Sequence, residues 1–326
     1  MTTGFQMRGL IGAVLGIALS LSLCSVAALA QNVPSNPNAD LQPIDLTPVR
    51  FPERDNEFST MQQMRINALY KLPAKMYVNA NVENSLRLES NAFQTRHHQQ
   101  ADMIYRVLPD TTVGYAVTQQ TRVSANYFYF HDLYADHGHS LSRNVHSVGL
   151  RADHDFQINP TTIVTTSVMD RELFITRNPN LNDILPSVSL SHRVADNAVV
   201  YSSVLGQLRF RDFVGGKFQE GDQFYSLGSI YRGKRYIASA DATLIDNFGR
   251  GNLRFGPNSN HIMVLTMEGG RRLTQTVPLV AFVRAQPIFN MGSSQQGFAG
   301  FNMRLFGGLR LELSKPALFP RDLKSK

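Results

Sequence analysis

The sequence holds one cysteine, Cys24, and no tryptophan. A lone thiol excludes a disulfide framework and any cysteine-built metal site, so the fold has to hold without covalent staples. Long apolar runs are equally scarce. The one uncharged run, Leu10 to Leu23, stands near the N-terminus behind Arg8. It is short for a spanning helix and suits the apolar core of an export signal. Ala28-Leu29-Ala30 supplies the small residues a signal peptidase reads. Residues 1–30 are therefore predicted to be a signal peptide cut after Ala30, and Cys24 would leave with it. Leu23 is not the small residue a lipoprotein signal wants before its cysteine. Farther on, the longest compact apolar patch is only Val277-Pro278-Leu279-Val280-Ala281-Phe282-Val283. It falls short of the roughly 18 apolar residues of a transmembrane helix. Any further membrane element must then be a closed barrel, the other structure that satisfies its own backbone hydrogen bonds in lipid.

Acidic residues are the minority, with 25 Asp and Glu against 32 Lys and Arg, a formal charge of +7. A basic balance points to nucleic acid, an anionic surface or anionic solutes. No motif interleaves basic and aromatic residues, and an exported chain rarely meets nucleic acid. Outer-membrane lipids, lipopolysaccharide phosphates and small polar or anionic solutes are the partners expected instead.

Residues 31–52 are rich in Pro, Asn and Asp and have no period, which reads as a linker. Phe58, Met61, Met64, Ala68, Leu69 and Leu72 then fall at helical spacing and predict a short amphipathic helix, packed on a barrel end or set into a lumen. The stretch 31–74 is assigned as a periplasmic linker with this helix. After Pro73 the period becomes two. Met76, Val78, Ala80, Val82, Leu86 and Leu88 alternate with polar residues, broken on the apolar side by Asn84. Such length fits a transmembrane strand of about 9–11 residues or more rather than the shorter strands of soluble sheets.

The pattern recurs over residues 111–117, 121–130, 145–156, 161–169, 187–194, 198–210, 223–231, 235–244, 261–268, 276–285 and 301–313. Tight turns rich in Gly, Asn, Asp and Pro join alternate pairs, including Arg232-Gly233-Lys234 and Gly269-Gly270-Arg271-Arg272. Longer connections join the rest, over residues 90–110, 131–144, 174–185, 211–222, 246–260 and 286–299. Short turns on one rim and long loops on the other, with an even strand count, are the habit of bacterial barrels. The expected fold is all-β, a closed antiparallel transmembrane barrel of about twelve strands over residues 75–313, with a C-terminal tail at 314–326.

From Met76 to Leu313 the chain resembles the bacterial outer-membrane β-barrel superfamily, porin-like in organisation. Gly308, Leu311 and Leu313 also resemble the last-strand signal read by the barrel-assembly machinery, although leucines stand where aromatics are usual and a tail follows. The resemblance implies an outer-membrane location and the assembly machinery as a partner.

Aromatic girdles are expected at the strand ends, from Tyr127, Phe128, Tyr129, Phe130, Phe210, Phe224 and Tyr225 at the long-loop rim and from Phe156, Tyr201, Tyr231 and Tyr236 at the other. The polar faces place Glu83, Arg87, Arg122, Arg151, Asp153, Arg209, Asp241, Arg284, Arg304, Arg310 and Glu312 in the lumen. There they avoid the roughly 2–4 kcal/mol that an Arg or Lys costs at the lipid midplane. Rings of Arg would favour anions in an open pore; Arg–carboxylate pairs closing a narrow lumen are the competing reading.

His131, His137 and His139 lie near Asp132 and Asp136, a pattern that could ligate a metal but that polar loops also show without one. Twelve-stranded outer-membrane phospholipases pose an enzyme alternative. Their motif sets a His two residues before the nucleophilic Ser, followed by Asn-Gly. His139-Ser140 and Ser142-Arg143-Asn144 have the wrong spacing and lack the Gly. No phosphate loop, dinucleotide fingerprint or other cofactor motif is present. The sequence thus predicts no catalytic residue, no cofactor, and a passive, weakly anion-selective pore. A non-conducting barrel working through its long loops is the alternative, and a lipid hydrolase is the second.

Overall fold

The structure, a computed structural model, describes residues 76–91, 100–118, 120–136, 143–175, 180–195, 197–211, 217–248, 260–274, 278–290 and 300–319. The expected signal peptide, linker and short amphipathic helix lie outside the described residues. So do Gly215-Gly216.

Twelve strands form in chain order: β1 (Met76–Glu89), β2 (Asp102–Ala116), β3 (Thr121–Tyr134), β4 (Arg143–Asn159), β5 (Thr162–Ile175), β6 (Leu181–Ala195), β7 (Ala198–Arg211), β8 (Lys217–Arg232), β9 (Tyr236–Phe248), β10 (Asn260–Arg272), β11 (Leu279–Asn290) and β12 (Gly300–Phe319). Each pairs antiparallel with its sequence neighbours, and β1 pairs with β12, so the sheet closes into a barrel without an edge. The all-β, closed, twelve-stranded architecture expected from the sequence is the one found.

Register makes two faces of one wall. Along β1, Leu86 and Leu88 are exposed while Ser85, Arg87 and Glu89 are buried. The same alternation runs round the ring, with Val148, Leu150, Val200, Leu227, Val283 and Leu305 on the outside. An apolar outer face and a charged inner face are the reverse of a soluble protein and match a lipid surround. Exposed Tyr105, Phe174 and Phe301 lie toward the long-connection rim, Tyr127 at mid-strand, and Tyr115, Phe156, Tyr231 and Tyr236 toward the short-turn rim. Phe128, Phe130, Phe224 and Tyr201 do not belong to these bands. They are buried on the inner face, because side chains one residue apart must point to opposite sides.

Several strands run farther toward the long-connection rim than their alternation predicts. Residues 102–110 belong to β2, and His131 to Tyr134 to β3. In β2 the inner face carries Ile104 and Leu108 as well as Arg106 and Asp110, while Tyr105 and Val107 face out. With apolar residues on both faces, hydropathy loses its period although the strand keeps its own. At the opposite rim the last strand passes Leu313, and Ser314, Lys315, Pro316 and Phe319 pair with the start of β1. Gly269-Gly270 is not a turn; both residues lie within β10, which runs on to Arg272 before β11 begins at Leu279. A side chain at Gly270 would collide with Ile237 and Val280 of the flanking strands, whose Cγ1 atoms would sit 2.8 and 2.9 Å from its Cβ. Pro278 falls just before β11.

Four prolines do lie inside strands, and one of them, Pro316 of β12, sits beside the register shift at Met76/Tyr77 of β1. Pro109, Pro186 and Pro287 each coincide with an interruption of one ladder, on the β3, β7 and β10 sides respectively. A proline has no N–H to donate, so one ladder is broken while the other is kept.

The closing seam depends on a close approach. A Cβ on Gly308 would run into the Asn84 carbonyl oxygen and meet Ser85 Cα at 2.8 Å, whereas Gly307 has open space around it. Gly308→Ala is therefore expected to destabilise the barrel by about 1–3 kcal/mol, the usual cost of overpacking, and Gly307→Ala to leave it nearly unchanged. Urea unfolding of the vesicle-inserted chain measures both; equal midpoints for the two variants would disprove the seam argument.

Candidate functional site

The enclosed face of the barrel carries its chemistry. Strand register places Glu83 and Arg87 (β1), Arg122 (β3), Arg151 and Asp153 (β4), Arg209 (β7), Asp241 (β9), Arg284 (β11), and Arg304, Arg310 and Glu312 (β12) on this inner face. They do not form one ring. They fall into separate clusters, each organised round carboxylates that tie neighbouring strands together.

Near the long-connection rim, Arg106 Nε and Nη2 donate to the two oxygens of Asp132 at 2.6 and 2.5 Å. Such two-point pairing is the strongest geometry open to a guanidinium and a carboxylate. Arg87 Nη2 lies 3.1 Å from Glu89 and 3.4 Å from Asp132, and donates to the Tyr134 hydroxyl at 3.2 Å. Arg304 Nε and Asn302 Nδ2 both donate to Glu89 Oε1 at 2.7 Å. Phe306 and Tyr134 flank the Arg87 guanidinium and Phe130 flanks that of Arg106, at 5.2 to 5.9 Å. Arg87 is wholly buried. The cluster joins β12, β1, β2 and β3.

A second cluster centres on Asp183 of β6. Arg209 donates to both its oxygens at 2.6 and 2.7 Å, Arg171 at 2.6 Å and Gln207 at 2.8 Å. The side chains of Asp183 and Arg209 are entirely inaccessible. Toward the short-turn rim, Glu268 accepts from Arg284 at 2.7 Å and from Arg310 at 2.6 Å, and Glu83 accepts from Arg284 at 3.0 Å. Arg310 also donates to Glu312 at 3.1 Å, and Arg232 Nη1 donates to Glu312 at 2.9 Å. On β3 to β5, Arg122 pairs with Asp155, while Arg151 donates to Asp153 and to Ser167 at 3.0 Å each. Asp241 accepts from the Tyr201 hydroxyl at 3.4 Å. The Tyr201 ring lies over Gly228, where any Cβ would meet it at 2.7 Å, and so reaches past β8 to β9.

Between the charged clusters the inner wall is apolar. Leu108, Phe128, Phe130, Val145, Leu173, Ile175 and Leu181 form one patch on β2 to β6. Phe224, Ile245, Val264 and Ile288 form another on β8 to β11. Strand β10 settles its own face accordingly: Val264 and Thr266 point in, Met267 out.

Sequence reasoning did not place Glu89, Arg106, Asp132, Arg171, Asp183 or Glu268 in the lumen, and read Asp132 only beside the candidate metal histidines, yet these are the groups on which the clusters turn. Most sit in segments read as loops or strand ends. Counting in twos was the available signal: Arg106 is in phase with Asp110, and Asp132 with Asn126 and Arg122.

The histidines go elsewhere. His131 lies on the outer face of β3, hydrogen-bonded to the Asn144 side chain. Tyr127 and His146 are hydrogen-bonded at 3.0 Å on the same outer patch. His137, His139, Ser140 and Ser142 lie outside the described residues.

No protein-family model matches the sequence, and no curated protein does. Solved structures do match by shape. An outer-membrane channel from Pseudomonas putida F1 is 10% identical, with a TM-score of 0.48 over 74% of this chain and 97% of its own. The NanC porin is 10% identical with a TM-score of 0.44, over 72% and 100%. The KdgM porin in complex with disordered oligogalacturonate is 8% identical with a TM-score of 0.41, over 72% and 99%.

Removing the shared carboxylate should expose the cost of these clusters. Asp183→Ala leaves Arg171 and Arg209 buried without their common partner and is expected to destabilise the barrel by about 3–5 kcal/mol. Urea titration followed by tyrosine fluorescence checks this; a loss below about 1 kcal/mol, the worth of an exposed pair, would mean that water reaches the cluster freely.

Proposed function

We propose that the chain is a passive outer-membrane channel for small polar solutes, with a weak preference for anions. The observation that carries the reading is the distribution of charge: arginines and carboxylates line the enclosed face of a closed ring, while the outer face offers lipid an apolar surface. Charges placed inside a barrel favour polar solutes in the path. Carboxylates offset most of the guanidiniums, so selectivity is weak. Its sign follows the basic balance of the chain. Arg87, Arg122, Arg151, Arg209, Arg284, Arg304 and Arg310 line the path in this reading, and no residue performs chemistry. Export proceeds through removal of residues 1–30 and insertion through the barrel-assembly machinery, with outer-membrane lipid and lipopolysaccharide surrounding the wall.

One observation favours the second reading, a non-conducting barrel acting through its surface. Arg87, Arg209, Phe130, Ile245 and Asp183 are fully inaccessible, so stretches of the wall are packed side chain against side chain. Planar-bilayer conductance of the refolded chain from Gln31, with the reversal potential in a salt gradient, separates the two. Unitary steps with a reversal potential on the anion side are expected. A folded, heat-modifiable barrel without conductance would establish the second reading in place of the first.

A further inference from the structure

The Arg232–Glu312 pair is unlike nearly every other ion pair in the lumen. Most join adjacent strands or strands one removed. Arg232 closes β8 and Glu312 belongs to β12, with β9, β10 and β11 between them in the ring. The pair is therefore a chord that leaves the wall and cuts across the enclosed space.

Both ends are anchored at the short-turn rim. The Arg232 N–H donates to the Asn197 carbonyl at 2.8 Å, and the Glu312 N–H to that of Pro278 at 2.8 Å, each in or beside a short turn. Glu312 is also held by Arg310, which is held by Glu268, which in turn is held by Arg284. The chord thus continues into the wall as a chain of charge-assisted bonds, which fixes Glu312 as a rigid post. The wall under the chord is low and apolar. Gly270 contributes no side chain there, and Ile237, Val280, Phe282 and Phe306 close over the gap. Arg272, two residues beyond Gly270 on the same face of β10, is a further cation beside the pair, and the Arg232 guanidinium finds its carboxylate across the lumen.

We propose that the Arg232–Glu312 tie is the constriction of the channel at its short-turn, periplasmic mouth, and that it sets the size and charge of what passes there. This rests on the channel reading above. A single opposed pair at a narrowing confers a testable signature. Removing the carboxylate makes the mouth more positive, and removing the guanidinium makes it less positive although Arg310 and Arg272 remain, so the two losses must move selectivity in opposite directions. General loosening of the barrel would move both the same way.

The test compares the wild-type chain, Glu312→Gln, Arg232→Gln and Arg232→Lys in planar bilayers, after heat-modifiable migration has shown that each is folded. Arg232→Met, with a side chain of similar reach, stands in for a Gln variant that fails this check. Both Gln variants are expected to raise unitary conductance about two-fold, with reversal potentials shifting toward anions for Glu312→Gln and toward cations for Arg232→Gln, and Arg232→Lys to keep wild-type behaviour. A silent wild type with conducting Gln variants would uphold the tie as the closing element and refute the open channel. A conducting wild type with unchanged Gln variants would refute the tie and leave the channel standing. Silence from all of them would refute both.

Discussion

Everything in this barrel depends on the pairing of β1 with β12. In lipid there is no water to satisfy an open sheet edge, so a spanning sheet is viable only if its first strand finds its last. Here the two ends of the described chain meet over the full length of β1, from Met76 to Glu89. The pairing requires Gly308 opposite Ser85, where the strands approach too closely for a side chain. Once closed, the wall fixes the direction of every side chain round the ring. Inside and outside are then a matter of parity alone.

Parity explains why the lumen holds so much charge. A guanidinium set outward would face hydrocarbon, and the same group set inward can reach a carboxylate on the next strand. The clusters also do mechanical work. Asp183 ties β5, β6 and β7, while Glu89 and Asp132 tie β12 to β3 through β1 and β2. In a protein without disulfides, these inner bonds supplement the backbone ladders as cross-links. Breaking one partner costs more than the pair contributes, because the remaining charge stays buried.

How much of this was legible in the sequence follows from how clean the alternation is. β1 separates Leu86 and Leu88 from Arg87 and Glu89, and it could be read residue by residue. The strand number and the return of both ends to one rim followed from short turns alternating with longer connections. β2 was half hidden, because Ile104 and Leu108 bring apolar residues to the inner face and erase the contrast. The glycines at 269 and 270 looked like a turn, since nothing local reveals that Ile237 and Val280 fill the space they leave. Aromatics were assigned to girdles by position along the strand, yet Phe128, Phe130, Phe224 and Tyr201 have the wrong parity for lipid. The hub carboxylates were missed for the same reason as the strand ends that carry them. Which carboxylate serves which arginine is a property of register between strands far apart in sequence, and one sequence does not contain it.

The inner apolar patches bear on how any solute would move. A lumen lined only by charge would hold water along its whole length and discriminate weakly. In this barrel the charged clusters are separated by patches such as Leu108, Phe130 and Leu173, which bind neither ions nor water well. Charged and apolar groups therefore interleave along the inner face, Leu181 two residues from Asp183, Phe130 from Asp132 and Leu108 from Arg106. Most charged groups reach partners along the wall, whereas Arg232 reaches Glu312 across it, past the gap in side chains at Gly270.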